Sequence, residues 1–204
     1  MKKIICYGDS NTFGYNPADA SRFDENTRWT SLLQSILDSD YKIIEEGCCD
    51  RTGFVYNDKG FLFSAQKHFP KLIEGTNDAD ILILSVGTND LQFKYDIDEE
   101  TVNKGLDNLI LKAKTKINNI ILIPPVVLNN TVLNGYFKIQ FDKKSIKKSE
   151  NIGKIYKEKA EKYNCNIFDI NEFAKPSDTD GLHYDEAEHK LIAEKLAEYI
   201  KTYY

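Results

Sequence analysis

Ile4-Ile5-Cys6-Tyr7-Gly8-Asp9-Ser10-Asn11-Thr12-Phe13-Gly14 decides how this chain is read. The apolar run from Ile4 to Tyr7 predicts a first strand, and it ends in Gly8-Asp9-Ser10. A strand that stops there leaves a hydroxyl at its carboxyl end, the edge along which open α/β sheets bind ligands. Serine alone is a weak nucleophile. It needs a base within hydrogen-bond reach and donors for the developing oxyanion. The plainer reading makes Ser10 a helix N-cap, a common role for serine after a strand. Which reading holds depends on whether the rest of the chain supplies base and donors.

Outward from that stretch, strands and helices alternate. Trp29, Leu32, Leu33, Ile36 and Leu37 recur at helical spacing before a second strand, Tyr41 to Glu45. A loop from Gly47 to Tyr56 precedes a helix expected over Gly60 to Glu74. Asp80 to Val86 is nearly continuous in apolar residues, as buried parallel strands are. Gly87-Thr88-Asn89-Asp90 ends it, and Asp98 opens a helix carrying Val102, Leu106, Leu109 and Ile110 on one face. Asn119 to Ile123 is a fourth strand, stopped by Pro124-Pro125, and Val126 to Asp142 has no helical period. A long charged helix from Lys143 to Tyr163, a fifth strand from Cys165 to Ile170 and a last helix from Tyr184 complete the order. Five such alternations predict an α/β fold: one doubly wound, five-stranded parallel sheet with helices on both faces and right-handed crossovers. The loops after strands one, two, three and five then share one edge.

The chain has 204 residues, enough for one domain over 1–204 with a real core. A formal net charge of −5 leaves no electrostatic footprint for nucleic acid or an anionic membrane surface. No stretch approaches the ~20 apolar residues of a membrane span. Too few apolar residues precede Gly8 for a signal-peptide core, so a cytoplasmic location is expected. Cys6, Cys48, Cys49 and Cys165 show no Cys-x-x-Cys spacing. Cys6 and Cys165 fall in strands expected to be central, where a free thiol is a small hydrophobe. Neither a disulfide framework nor a metal site is expected, and no cofactor.

Only three histidines are present. His183 closes the loop Asp180-Gly181-Leu182-His183, in which an Asp three residues earlier can hold one imidazole tautomer and leave the other nitrogen free for a serine. His68 and His189 lack such a partner and sit in expected helices, where surface or packing roles are the simpler account. Asp9 and Asp90 follow glycine-containing turns and are expected to serve loop and backbone hydrogen bonds. No carboxylate pair stands out for glycoside hydrolysis. Cys48 or Cys49 as nucleophile is a weak alternative, since neither lies at the strand-one turn.

Three motifs in order, Gly8-Asp9-Ser10, Gly87-Thr88-Asn89-Asp90 and Asp180-x-x-His183, resemble the SGNH hydrolases, also called GDSL-type esterases and lipases. The likeness runs over essentially the whole chain. It implies a flavodoxin-like architecture and a serine esterase in which Ser10 is nucleophile, His183 base and Asp180 its orienter. It also implies an oxyanion hole made of the Ser10 amide, the Asn89 side-chain amide and one further backbone amide. The stretch Ile44 to Thr52, with Pro124-Pro125 and Lys148-Ser149-Glu150, resembles the branch of short-chain arylesterases and acyltransferases. Aligned on Arg51-Thr52, Asp50 stands where most of the superfamily has glycine, and its amide becomes the third donor. Gly47 is then expected to mark the turn, and the Asp50 carboxylate to point away, toward solvent or a donor such as Arg51.

The resemblance implies a small ester substrate, with acetylated carbohydrates and aryl esters among the candidates, and acyl transfer as a side activity. It also leans toward a homo-oligomer. Phe13, Tyr15, Phe54 and Tyr56 are expected near the site, either lining a pocket or packing. The competing reading is a flavodoxin-like phosphate- or nucleotide-binding module that cradles its ligand on the Ser10–Gly14 loop. It leaves Asp180 and His183 without a role. A degenerate, inactive relative is the third reading, set low because every triad position is filled.

Overall fold

The computed structural model describes residues 1–76 and 78–204. Five strands, β1 (Lys2–Gly8), β2 (Tyr41–Gly47), β3 (Ile81–Ser85), β4 (Asn119–Leu122) and β5 (Asn166–Ile167), form one parallel sheet in the order β2-β1-β3-β4-β5. That is the doubly wound arrangement in which the order of strand addition reverses between β1 and β3, the crevice where such sheets bind ligands. Ser10 follows β1 and Asn89 follows β3, so the two flank the reversal.

The helices are α1 (Ser10–Phe13), α2 (Trp29–Leu37), α3 (Ala65–Gly75), α4 (Glu99–Lys114), α5 (Lys143–Tyr163) and α6 (Glu186–Tyr203). α2 packs on α6, while α3, α4 and α5 pack in succession, so the two groups cover opposite faces. Ile81 to Leu84 of β3 have no solvent exposure, which matches their unbroken apolar run. Truncating one of them to alanine removes both transfer energy and packing, about 2–5 kcal/mol. Asp98 caps α4 by accepting from the Thr101 amide at 2.8 Å, and Asp142 caps α5 in a reciprocal pair with Ser145.

Three expectations need correction. α3 begins at Ala65, not Gly60: Phe61–Phe63 form a separate 3₁₀ turn, and Ser64 is extended where it bridges to Thr52, which breaks the helix before Ala65. β5 is two residues long and lies at the sheet edge, so Cys165 beside it is half-buried rather than central. α6 starts at Glu186, with Asp185 as its cap accepting from the Ala187 and Glu188 amides. Among the described residues, no helix is long and apolar enough to cross a membrane.

His189 sits at the α2–α6 junction with no solvent exposure. Its Nδ1 accepts from the Trp29 amide at 3.2 Å, and its Nε2 has no partner among the described residues. Burial holds its pKa down to about 4, against the pull of Asp185. The folded state therefore binds fewer protons than the unfolded chain between about pH 4 and 6.5, and stability falls as pH drops through that window. The loss attributable to this residue reaches about 3 kcal/mol near pH 4. Urea unfolding of wild type and His189→Asn, whose amide oxygen replaces the Nδ1 acceptor, is expected to show the wild type losing that much more on acidification. Parallel declines from pH 7.5 to 4.5 would rule the assignment out.

Candidate active site

The turn after β1 is built on a close approach. A Cβ on Gly8 would lie 2.0 Å from Thr12 Oγ1 and 2.6 Å from the Ser85 carbonyl, so only glycine lets the chain double back here. Asp9 then caps the four-residue α1, its buried carboxylate accepting from the Asn11 amide at 3.1 Å. Burial pushes its pKa up, opposed by hydrogen bonds from Thr88 and Asn11. A carboxylate thus already occupies the N-terminus on which a phosphate would rest, which removes the main support for the nucleotide-binding reading.

Ser10, His183 and Asp180 lie in one hydrogen-bonded chain. The Ser10 Oγ to His183 Nε2 distance is 2.8 Å, and His183 Nδ1 to Asp180 Oδ2 is 2.7 Å. All three are buried. A carboxylate only accepts, so Nδ1 carries the proton toward Asp180, and Nε2 accepts from the serine hydroxyl. The other oxygen of Asp180 accepts from the Leu182 and His183 amides, each at 2.9 Å, which fixes the tight loop seen in the sequence. Burial raises the Asp180 carboxyl, but bonds from His183 and the loop amides outweigh it and hold its pKa below the usual range. The Tyr15 ring lies over the imidazole at 4.1 Å between centroids, with Phe137 at 5.4 Å.

The loops after β2 and β3 meet opposite this chain. Asn89 donates from Nδ2 to the Arg51 carbonyl at 3.1 Å, and its Oδ1 accepts from Gln92 Nε2 at 3.2 Å. Its carboxamide is therefore fixed in one orientation, with the second N–H left over. Neither the Ser10 nor the Asp50 backbone amide donates to an acceptor among the described residues. Asp50 has φ +62, the left-handed region where glycine is at ease and other residues are strained. The glycine expected at this position is thus a conformational matter. Gly47 is extended at the end of β2; a Cβ there would lie 2.3 Å from the Phe13 amide nitrogen, so it permits a close approach and does not make the turn.

The Asp50 carboxylate pairs with Lys59 at 2.6 Å, and not with Arg51. Arg51 is buried, donating to the Gly8 and Leu62 carbonyls at 3.0 Å each, with its guanidinium 4.3 Å from the Tyr7 ring centroid. It ties the end of β1 to the loop that carries Asp50. Asp90 accepts from the Gly53, Phe54 and Val55 amides at 2.5, 2.7 and 3.0 Å. Burial pushes its pKa up to about 6, with those amides opposing. It thus joins the β2 and β3 loops, a backbone role.

Of the four aromatics expected nearby, only Tyr15 touches the triad-like chain. Phe13 lies under Arg22, Phe54 packs between Gly87 and Gly105, and Tyr56 is exposed. Phe137 was not anticipated, because it comes from the segment without period. Cys49 is pushed up to about 12, by burial first and then by Asp50, and Cys48 is also raised by burial. Neither thiol bonds to His183 among the described residues, which leaves the cysteine alternative unsupported. Among the same residues, no three His, Cys, Asp or Glu side chains gather as a metal site. The larger cavities, about 580 and 490 Å³, lie elsewhere. The one lined by Asp50 and Gln92 holds about 120 Å³, below the ~300 Å³ at which drug-sized pockets begin.

This architecture recurs in solved structures. The native aryl esterase of M. smegmatis superposes with a TM-score of 0.91 at 24% identity, covering 99% of both chains. A carbohydrate acetylesterase family member from Sinorhizobium meliloti gives 0.90 at 24% identity, over 99% of this chain and 98% of that one. A second carbohydrate acetylesterase from Sinorhizobium meliloti gives 0.90 at 20% identity over the whole of both chains. At these identities the likeness concerns the fold. No curated protein matches the chain by sequence. The model of the GDSL-like lipase/acylhydrolase family matches residues 6–191, from the core of β1 into α6. With the fold and the matched span together, the chain belongs to the GDSL-like lipase/acylhydrolase family, a family of ester-bond hydrolases.

Proposed function

We propose that the protein is a serine esterase that hydrolyses short-chain carboxylic esters through an acyl-Ser10 intermediate. The observation that carries this reading is the Ser10–His183–Asp180 chain, with its 2.8 and 2.7 Å links at the carboxyl edge of the sheet. Ser10 Oγ attacks the ester carbonyl as its proton passes to His183 Nε2, and Asp180 stabilises the resulting imidazolium through Nδ1. The carbonyl π pair moves onto oxygen, where the Ser10 and Asp50 amides and the Asn89 side chain donate to it. Collapse of the adduct expels the alkoxide, which takes the proton from Nε2 and leaves as the alcohol. Water, deprotonated by the same nitrogen, then releases the acid and restores the serine. An alcohol in place of that water gives acyl transfer.

The structural likeness to an aryl esterase and to carbohydrate acetylesterases supports aryl esters and acetylated carbohydrates, both with short acyl groups, as the substrate class. On p-nitrophenyl esters of rising length, kcat/KM for acetate and butyrate is expected to exceed that for decanoate by at least about tenfold, ~1.4 kcal/mol of transition-state binding. A preference for long chains would contradict the short-acyl assignment. Absence of turnover on every ester, with no phosphonate adduct at Ser10 by mass spectrometry, would remove the esterase reading itself.

A further inference from the structure

Ser10 and His183 come from turns 173 residues apart, and their 2.8 Å contact has to be held by something other than itself. Apart from that contact, the hydrogen bonds joining the two turns among the described residues all belong to one side chain, Asn11. Its Nδ2 donates to the Leu182 carbonyl at 3.2 Å, and its Oδ1 accepts from the Tyr184 amide at 3.3 Å. Those are the two neighbours of His183. Asn11 is 7% exposed, and its main chain is equally committed. Its amide donates to Asp9, and its carbonyl accepts from Trp29 Nε1 at 2.9 Å. The remaining bonds of the histidine loop run within it, as from the Ser177 amide to the His183 carbonyl, or to Asn129 on the far side.

We propose that Asn11 is a positioning residue, whose carboxamide brackets His183 through Leu182 and Tyr184 and so sets the imidazole against the adjacent Ser10. The inference rests on the Ser10–His183 mechanism above. An asparagine carboxamide suits the task because it offers one donor and one acceptor in a plane, matching a carbonyl and an amide two residues apart. An apolar side chain of the same size fills the space and makes neither bond. Misplacing reacting groups by about 1 Å costs on the order of 10²-fold in rate.

The test uses Asn11→Leu, which keeps the bulk, and Asn11→Ala, which keeps neither bulk nor bonds, each confirmed folded by circular dichroism and thermal melting. Turnover of p-nitrophenyl acetate is measured beside Ser10→Ala, His183→Ala and the double variant Asn11→Leu/His183→Ala. At least one folded Asn11 variant is expected to lose about 10- to 100-fold in kcat with KM within about threefold of wild type. In the His183→Ala background the same Asn11 change is expected to have no further effect, because there is no imidazole left to position. A general structural role would instead lower the rate by the same factor in both backgrounds, and that result overturns the proposal. So does a folded variant with kcat within twofold of wild type while Ser10→Ala is inactive. If Ser10→Ala itself turns over ester, the underlying mechanism fails, a result distinct from either outcome for Asn11.

Discussion

Ser10→Ala and His183→Ala are each expected to lower kcat on an acetate ester by on the order of 10⁴- to 10⁶-fold. The reason lies in how the chain is wired. Ser10 can attack only as its proton leaves, and the nitrogen that receives the proton, His183 Nε2, stands 2.8 Å away. Removing either partner leaves the other without a task, so the double variant is expected to be little worse than either single change. What survives comes from binding and from the oxyanion donors. Asp180→Asn is expected to cost somewhat less, because the serine and imidazole remain while the tautomer is no longer enforced. His68→Ala serves as the control. His68 is half-buried, its Nδ1 3.3 Å from the Tyr7 hydroxyl, and its loss is expected to leave turnover near wild type. His189 is a poor control, since it is buried in the α2–α6 junction and its loss acts on stability. An active Ser10→Ala protein would sink the mechanism.

How far this arrangement was legible in the sequence depended on whether its cause was local. The β3 run announced itself because a strand covered on both faces must be apolar throughout. The Asp180–His183 bond was readable because a three-residue loop closes it. That Ser10 would share an edge with that loop followed from strand alternation alone. Asn11 escaped notice because its partners, Leu182 and Tyr184, are 171 and 173 residues distant, and a single asparagine after a serine carries no pattern. Phe137 escaped because the segment that brings it to the imidazole has no period, only two short 3₁₀ turns. Arg51, offered beside solvent as a partner for the Asp50 carboxylate, is engaged elsewhere for a related reason. Adjacency in sequence suggested a pair with Asp50, whereas three main-chain carbonyls take its guanidinium inside the sheet edge. β5 was drawn too long because Cys165 to Ile170 is apolar enough for a strand, while only two of its residues pair with β4.

Asn89→Ala is expected to lower kcat by about 10²- to 10³-fold, the usual effect of deleting one oxyanion donor. Part of the loss in stability, about 1–2 kcal/mol, comes from the Arg51 carbonyl and Gln92 amide that Asn89 now satisfies, so rates are compared per folded enzyme. Asp50 presents the opposite case. In the proposed mechanism its amide donates to the oxyanion, and its carboxylate, were it free and inward-facing, would sit about 5 Å from new negative charge. At an effective dielectric near 20 that repulsion is roughly 3 kcal/mol, enough to cancel a donor. The ion pair with Lys59 at 2.6 Å answers this by placing a cation on the carboxylate. Asp50→Gly is therefore expected to keep kcat within several-fold of wild type, since a backbone amide serves whatever the side chain. It is also expected to relieve the left-handed strain at φ +62 by about 1 kcal/mol, offset by the surface ion pair it loses, worth about 0–1 kcal/mol. Lys59→Met, which frees the carboxylate but leaves it half-exposed, is expected to reduce kcat a few-fold, and Asp50→Gly/Lys59→Met to restore it. Steady-state rates on one acetate ester across these four variants decide the matter. If Asp50→Gly were as damaging as Asn89→Ala, or if the double variant were no better than Lys59→Met, the carboxylate would have a role of its own beyond being held out of the way.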